Sequence, residues 1–346
     1  MSTSLFSVLP VDCSSELFIG REDEIELILA AVNEKNQNVS LIGETKIGKS
    51  STLRKIQFEV QKPGFEKIIY VYLDLERFDF DLQTENLLAR ILNKIYSANE
   101  ELSEKFKNYN HGKLNEFSEV VDYCTRKKII VLLALDNFDA VTVLKNLSVD
   151  FFSFLRANAS ERGLSIITAS RNKLETLCHK GEIAGSKFWA VFNPVIALSL
   201  YQNIDYAVEL IGNEIKSEKL RQLIIKYAGT HPCFLKIAGN TIIRRNFTDL
   251  NDEELIAEAI YEDIIPYFEK CVKHLKSDEK NVDNNIHYKV EYVSTLCSIC
   301  SKEQNIQLIR RKEINNLMQM GYVREIDGSL EIFSPLFLRY IRDYEM

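Results

Sequence analysis

No apolar run in this 346-residue chain reaches the ~20 residues needed to cross a bilayer, so no membrane span is expected. The first ten residues, MSTSLFSVLP, lack a basic stretch followed by an apolar one, so no secretory leader is expected. Cysteine is sparse and odd in number. Cys13, Cys124, Cys178, Cys233, Cys271, Cys297 and Cys300 are scattered, which speaks against a disulfide framework and for reduced thiols in the cytoplasm. Positive charge is not in excess either. With a net charge of −7 the chain as a whole repels nucleic acid unless one face is locally basic. Internal repeats and low-complexity tracts are missing. What remains is an ordinary globular composition, 46% hydrophobic and 27% charged, at a length that suits two or three domains.

The first half alternates short β-branched runs with helical spacing. Strands are expected at Val39–Ile42, Ile68–Leu73, Ile129–Leu135, Leu164–Thr168 and, more weakly, Val195–Leu198. Ile25, Ile28, Leu29 and Val32 recur at helical intervals before the first of these, and Leu53, Ile56 and Val60 do so after it. Near-continuously apolar strands separated by helices imply a parallel sheet covered on both faces. From about Asn172 helices take over, up to a polar stretch, Ser277–Asn285, that reads as a linker or exposed turn. Ile314, Leu317 and Met318 then form a helical stripe ending at Gly321, a C-cap residue. Tyr322–Ile326 and Ser329–Phe333 flank Asp327-Gly328, a strong hairpin signal. Ser334-Pro335 caps a last helix through Leu336, Phe337, Tyr340 and Ile341. Helices, a hairpin wing and a closing helix describe a winged-helix domain.

Gly43-Glu44-Thr45-Lys46-Ile47-Gly48-Lys49-Ser50 fits G-x-x-x-x-G-K-[ST], the phosphate-binding loop. Glycine lets the backbone curl so that successive N–H groups converge on phosphate oxygens, and the following helix adds its positive end. Lys49 is placed for the β- and γ-phosphates and Ser50 for Mg²⁺, so ATP or ADP with Mg²⁺ is the expected ligand set. Leu132-Leu133-Ala134-Leu135-Asp136 is an apolar strand ending in a carboxylate, suited to holding a Mg²⁺-bound water. Asn137 follows, where a water-activating acid is usual, so hydrolysis is either slow or served by Asp139. Thr168, Ser170 and Arg171 end another strand, where a hydroxyl senses a γ-phosphate and the cation neutralises it. The lone Cys297-x-x-Cys300 pair has no second pair, and the one nearby histidine, His287, is badly spaced for zinc. Two buried thiols on one helix face are the expected reading. His231-Pro232 is read as shaping a helix start rather than as catalytic.

These features together resemble the STAND class of P-loop ATPases, related to the AAA+ proteins. Phe18-Ile19-Gly20-Arg21-Glu22 resembles the F-x-G-R-E box of that class, which implies contact of Phe18, Gly20 and Arg21 with the nucleotide base. The loop with Ser51 added resembles its G-x-x-x-I-G-K-S-S form. Gly229-Thr230-His231-Pro232 is similar to the G-x-x-P lid motif, which brings Pro232 to the nucleotide. The final helix resembles the close of its winged-helix module. The resemblance spans nearly all of the chain and implies an α/β P-loop NTPase core with a parallel sheet, an α-helical lid and a winged helix. The expected boundaries are an N-terminal arm 1–16, the core 17–175, the lid 176–276 and the winged helix 277–346.

Three functions follow as expectations. The first is a regulatory switch coupling ATP binding and slow hydrolysis to conformational change and to assembly with a protein partner or effector, in signalling or defence, with an ATP-dependent oligomer left open. The second is a DNA-binding initiator or loader of the Orc/Cdc6 type. From Asn285 to Met346 eight Lys/Arg face eight Asp/Glu, so the wing lacks the basic footprint of a nucleic-acid binder. The third is a nucleotide-binding scaffold without turnover, which Asn137 keeps in play.

Overall fold

The computed structural model describes residues 18–346 except 80–81, 110, 143, 145, 148, 162, 179–185, 213, 249–251 and 281–290. The expected arm 1–16 and Cys13 lie outside the described residues. The chain forms two compact units. One comprises residues 18–43 and 49–198; the other comprises 44–48 and 199–346.

The first unit is an α/β layer structure. It contains α1 (Glu22–Lys35), β1 (Asn38–Gly43), α2 (Lys49–Glu59), β2 (Ile68–Asp74), α3 (Thr84–Ala98), α4 (Glu100–Lys105) and α5 (Leu114–Arg126). It continues with β3 (Ile130–Asp136), α6 (Val149–Glu161), β4 (Leu164–Ser170), α7 (Leu174–Leu177) and β5 (Phe192–Leu198). The five strands form one parallel sheet in the order β2-β3-β4-β1-β5. All five expected strands are present. β5 falls inside the stretch expected as helical lid, because it covers the edge of β1 that would otherwise be unpaired.

Alternation sorts the side chains of this sheet. Val131, Leu133 and Leu135 of β3 join Ile166 of β4 in a core that α3, α5 and α6 complete with Leu88, Ile91, Phe117 and Phe152. Leu132 and Ala134 are equally buried and point to the other face, where α2 packs. At β3, in the middle of the sheet, both faces are therefore dry, as a parallel strand requires, whereas the edge strand β5 leaves Val195 exposed.

The second unit is mainly helical. It holds α8 (Ile204–Gly212), α9 (Glu218–Ala228), α10 (Pro232–Arg244), α11 (Glu253–Lys280), α12 (Tyr292–Cys300), α13 (Ile306–Ile309) and α14 (Arg311–Met320). The hairpin β6 (Val323–Ile326) and β7 (Ser329–Ile332) and the closing α15 (Pro335–Tyr344) follow. Asp327 and Gly328 both take left-handed backbone, φ 49° and 76°, between paired Ile326 and Ser329, which is the two-residue turn that the sequence implies. Gly321 ends α14 with φ 84°, and Ser334 caps α15 by accepting from the Phe337 N–H at 3.3 Å. The expected linker from Ser277 is corrected in its first part: α11 runs on to Lys280, and 281–285 lie outside the described residues. Phe234, Phe268, Phe333, Phe337 and Tyr340 form one buried aromatic cluster in this unit, with ring centroids 5.0–6.4 Å apart in edge-on, tilted and stacked pairs. On α12, Cys300 is buried, whereas Cys297 is half-buried and donates to the Glu345 carbonyl at 3.7 Å.

Candidate functional site

The phosphate loop leaves β1 at Gly43 and re-enters helix at Lys49, the first residue of α2. Lys46 adopts left-handed backbone, φ 66°, and Gly48 takes φ 117°, a value that costs a side chain strain. A Cβ at Gly48 would meet nothing within 4 Å, so glycine is needed there for its backbone and not for space. Lys49 Nζ donates to the Gly43 carbonyl at 2.7 Å, and so closes back over the mouth of the loop. Ser50 and Ser51 lie in the first turn of α2 and are half-buried.

Asp136 ends β3 almost fully buried, on the face shared with Leu132 and Ala134, where α2 packs. Its Oδ2 accepts from the Tyr72 hydroxyl at 2.7 Å and its Oδ1 from the Asn137 N–H at 2.9 Å. Burial, and then the negative charge of Asp136, pushes the Tyr72 phenol well above its ordinary range, so it stays a donor. Asn137 has left-handed backbone, φ 53°, and its side-chain amide donates to Asp74 Oδ1 at 2.8 Å. Asp74 is the residue of β2 directly opposite Asp136 and also accepts from Arg77 Nε at 2.9 Å. The tips of β2 and β3 are thus laced in both directions, Tyr72 to Asp136 and Asn137 to Asp74.

Asp139 is held by the two residues that follow β4. Its Oδ2 accepts from the Arg171 N–H at 2.6 Å, and its Oδ1 accepts from the N–H of Asn172 at 3.3 Å. Both oxygens are thereby engaged by backbone, which fixes the Arg171 segment in place. Thr168 and Ser170 fall on the face of Leu133 and Ile166, opposite to that of Asp136, so the structure does not bring these hydroxyls to it. Ser170 Oγ donates to the Asn172 carbonyl at 2.7 Å, and Thr168 Oγ1 is buried without a hydrogen-bond partner among the described residues.

Phe18 packs on α2, with Lys55 Nζ 6.0 Å from its ring centroid. Gly20 donates its N–H to Glu22 Oε1 at 3.2 Å, and buried Arg21 pairs with Glu24 at 3.1 Å.

In the second unit the tip of the loop, Glu44–Gly48, meets α11 and the residue that precedes the hairpin. Thr45 Oγ1 and His274 Nδ1 lie 3.2 Å apart. Glu44, 4% exposed, accepts the Thr45 N–H at 3.3 Å. Its carboxylate charge reaches Cys271 and Tyr322. Burial first, and Glu44 next, pushes the Cys271 thiol up to about 12, and the same two causes raise the Tyr322 hydroxyl. The Tyr322 hydroxyl is buried without a hydrogen-bond partner among the described residues. Pro232 opens α10 behind His231, whose Nδ1 accepts the Cys233 N–H at 3.2 Å, so this histidine serves as a helix cap.

A family model described as an AAA-like domain matches residues 6–343. The chain belongs to the AAA-like domain family. Solved structures agree on the fold of this AAA-like P-loop ATPase. The Walker-type ATPase paby2304 of Pyrococcus abyssi is 16% identical, with a TM-score of 0.63 over 98% of this chain and 99% of that one. The ORC2 protein of Aeropyrum pernix, solved in ADPNP–ADP complexes, is 13% identical with a TM-score of 0.50 over 98% and 99%. Among curated proteins there is no match.

Sequence reasoning missed Asp74, Tyr72, His274, Cys271 and Tyr322. Asp74 carried a signal, since it ends an apolar run as Asp136 does. The other four did not: 229 residues separate Thr45 from His274. Among the described residues no group of three or more His, Cys, Asp or Glu stands ready to hold a metal, and no helix is long and apolar enough to cross a membrane.

Proposed function

We propose that this AAA-like ATPase is a STAND-type switch, in which ATP with Mg²⁺ at the loop sets the state of the C-terminal helices and hairpin and so governs assembly with a protein partner. The observation that carries this reading is the packing of the loop tip: Glu44 and Thr45 lie against Cys271, His274 and Tyr322 within one compact unit. A loop that closes around phosphates must rearrange its backbone amides, and here the rearrangement pulls directly on α11 and on the start of β6. The residues fit the ligand. Lys49 is poised at the loop mouth to meet β- and γ-phosphate oxygens. Ser50, with buried Asp136 opposite on the α2 face, would hold Mg²⁺, which supplies charge neutralisation at the phosphates. Phe18, Gly20 and Arg21 are assigned to the base, and Pro232 to the nucleotide, by resemblance. The helices α12–α14, the β6–β7 hairpin and α15 support reading residues 277–346 as a winged helix.

Turnover on this reading is slow. Asn137 carries no proton-accepting group and is spoken for by Asp74, and both oxygens of Asp139 bind the backbone of Arg171 and Asn172. A switch gains from a long-lived ATP state, and a wild-type rate below about 1 s⁻¹ without a partner is expected. The Orc/Cdc6-type reading shares the fold, but the eight basic residues of the wing are matched by eight acids, and three of them form ion pairs: Arg310 with Glu291, Arg324 with Glu331 and Arg339 with Glu258. Hydrogen exchange with ADP and with a non-hydrolysable ATP analogue tests the switch. Protection should change in α11 around His274 and at Gly321–Val323. If changes stay confined to residues 43–51 and the tip of β3, the coupling does not exist.

A further inference from the structure

α13 does not bury its side chains as a short core helix should. Ile306 anchors it at 8% exposure, while Leu308 and Ile309 stand 82% and 65% exposed. Large aliphatic side chains presented side by side to water mark a contact surface more often than isolated ones do. The residues that follow are basic. Arg310 is tied to Glu291, and Arg311 and Lys312 are exposed at the start of α14. The second unit therefore displays an apolar knob followed by two positive charges.

The first unit displays the counterpart. A groove of about 520 Å³ runs between α1 and α2. Phe18, Ile25, Leu29 and Phe65 supply its apolar lining, and Glu22, Glu26 and Glu34 line its exposed rim. The lysine in it, Lys55, is already paired with Glu59 at 3.1 Å. The groove is thus apolar inside and negative at its edge, and fits two aliphatic side chains that carry cations beside them.

We infer that the groove between α1 and α2 of one copy takes Leu308 and Ile309 of a second copy of this chain, with Arg311 and Lys312 set against Glu26 and Glu34. The two surfaces differ, so the contact is heterologous and repeats from copy to copy, either closing a ring or extending a filament. Two aliphatic anchors and partly screened charges make a weak contact, so assembly depends on concentration and loosens with salt. Phe18 and α2 line the groove, so occupancy touches the element that starts at Lys49. The inference names the partner in the assembly proposed above, yet its contacts do not need nucleotide.

Sedimentation velocity on the full chain over a range of concentrations and salt, with and without ATP–Mg²⁺, tests it. Leu308→Asp should weaken self-association at least about tenfold, the effect of losing one buried aliphatic anchor. Arg311→Glu/Lys312→Glu and Glu26→Lys/Glu34→Lys should each be monomeric alone, because each meets its own kind of charge. Mixed, they should associate again as alternating copies. Melting temperatures near wild type would show that each variant folds. The inference is overturned if the wild type stays monomeric at every concentration, if the charge variants associate as it does, or if their mixture stays monomeric. A monomeric wild type whose groove binds a basic apolar peptide would assign the groove to a different protein and overturn it too. Self-association that survives in a Lys49→Ala protein with unimpaired ATP affinity would remove the nucleotide reading and leave this contact standing.

Discussion

Asn137→Asp is the change that most directly interrogates the strand tips. The residue count and shape are kept, and aspartate tolerates the left-handed backbone that Asn137 adopts. What changes is one donor into a charge. The amide that now donates to Asp74 Oδ1 at 2.8 Å becomes a carboxylate facing another, with buried Asp136 alongside. Two like charges about 4 Å apart repel by about 1 kcal/mol in water and about 4 kcal/mol at an effective dielectric near 20. Loss of a hydrogen bond to a charged acceptor adds about 1.5–3 kcal/mol. Arg77 beside Asp74 offsets part of this, so a net destabilisation of about 2–4 kcal/mol is expected at pH 8. The sign with pH follows from proton counting. As pH falls towards 5 the crowded native pair takes up a proton that the unfolded chain has not yet bound, so the variant regains stability on acidification. Urea unfolding at pH 8 and pH 5 measures both values. The double variant Asp74→Asn/Asn137→Asp reverses donor and acceptor and should recover most of the loss. Equal destabilisation at the two pH values, or no recovery in the double variant, would refute the lacing of β2 to β3. The same geometry bears on chemistry: a carboxylate added at 137 meets Asp74 before it meets water, so it should raise hydrolysis little.

Lys49→Ala should weaken ATP about ten- to a hundredfold, the value of a charge-assisted contact, and calorimetry showing unchanged affinity would remove the loop assignment. Arg171→Ala should bind ADP as wild type yet lose the distinct protease protection seen with a non-hydrolysable ATP analogue; retention of that difference would leave Arg171 a sheet-rim residue. Gly229→Ala forces a side chain onto φ 66° and within 2.7 Å of the Phe333 carbonyl oxygen. A loss of at least about 1–3 kcal/mol is expected in urea unfolding from the backbone strain alone, and a neutral effect would show that α9 and β7 part easily there. Burial pushes the Cys233 thiol up to about 11 and that of Cys271 up to about 12. Folded protein keeps these protons above ~8.5, where unfolded thiols release them, so stability should hold below that pH and fall as pH rises towards 11. At pH 8 a thiol reagent should label Cys233 and Cys271 at least about a hundredfold slower in folded than in unfolded protein.

The strands were legible because β-branched, uninterrupted apolar runs leave little alternative, and Asp327-Gly328 and Ser334-Pro335 each carry a local stereochemical requirement. The loop was legible because its chemistry needs fixed residues at fixed spacing. Strand order was not, since nothing in β4 states that it lies between β1 and β3. The roles of Asn137 and Asp139 depend on partners 63 and 32 residues away, so the sequence left open which of them could serve as a base. Polarity misled at Ser277, where a polar helix end and a linker have the same composition.

The crossed bonds at the tips of β2 and β3 bear on the kinetics of capture. Asp136 is immobilised by Tyr72 and by the Asn137 N–H within the folded chain itself. Its rotational freedom has been lost already in folding, so the Mg²⁺ proposed to sit there would have no side chain left to order at that position. Association at this carboxylate should then be governed by diffusion and loop opening, with the slow coordinate lying in Lys49 leaving the Gly43 carbonyl.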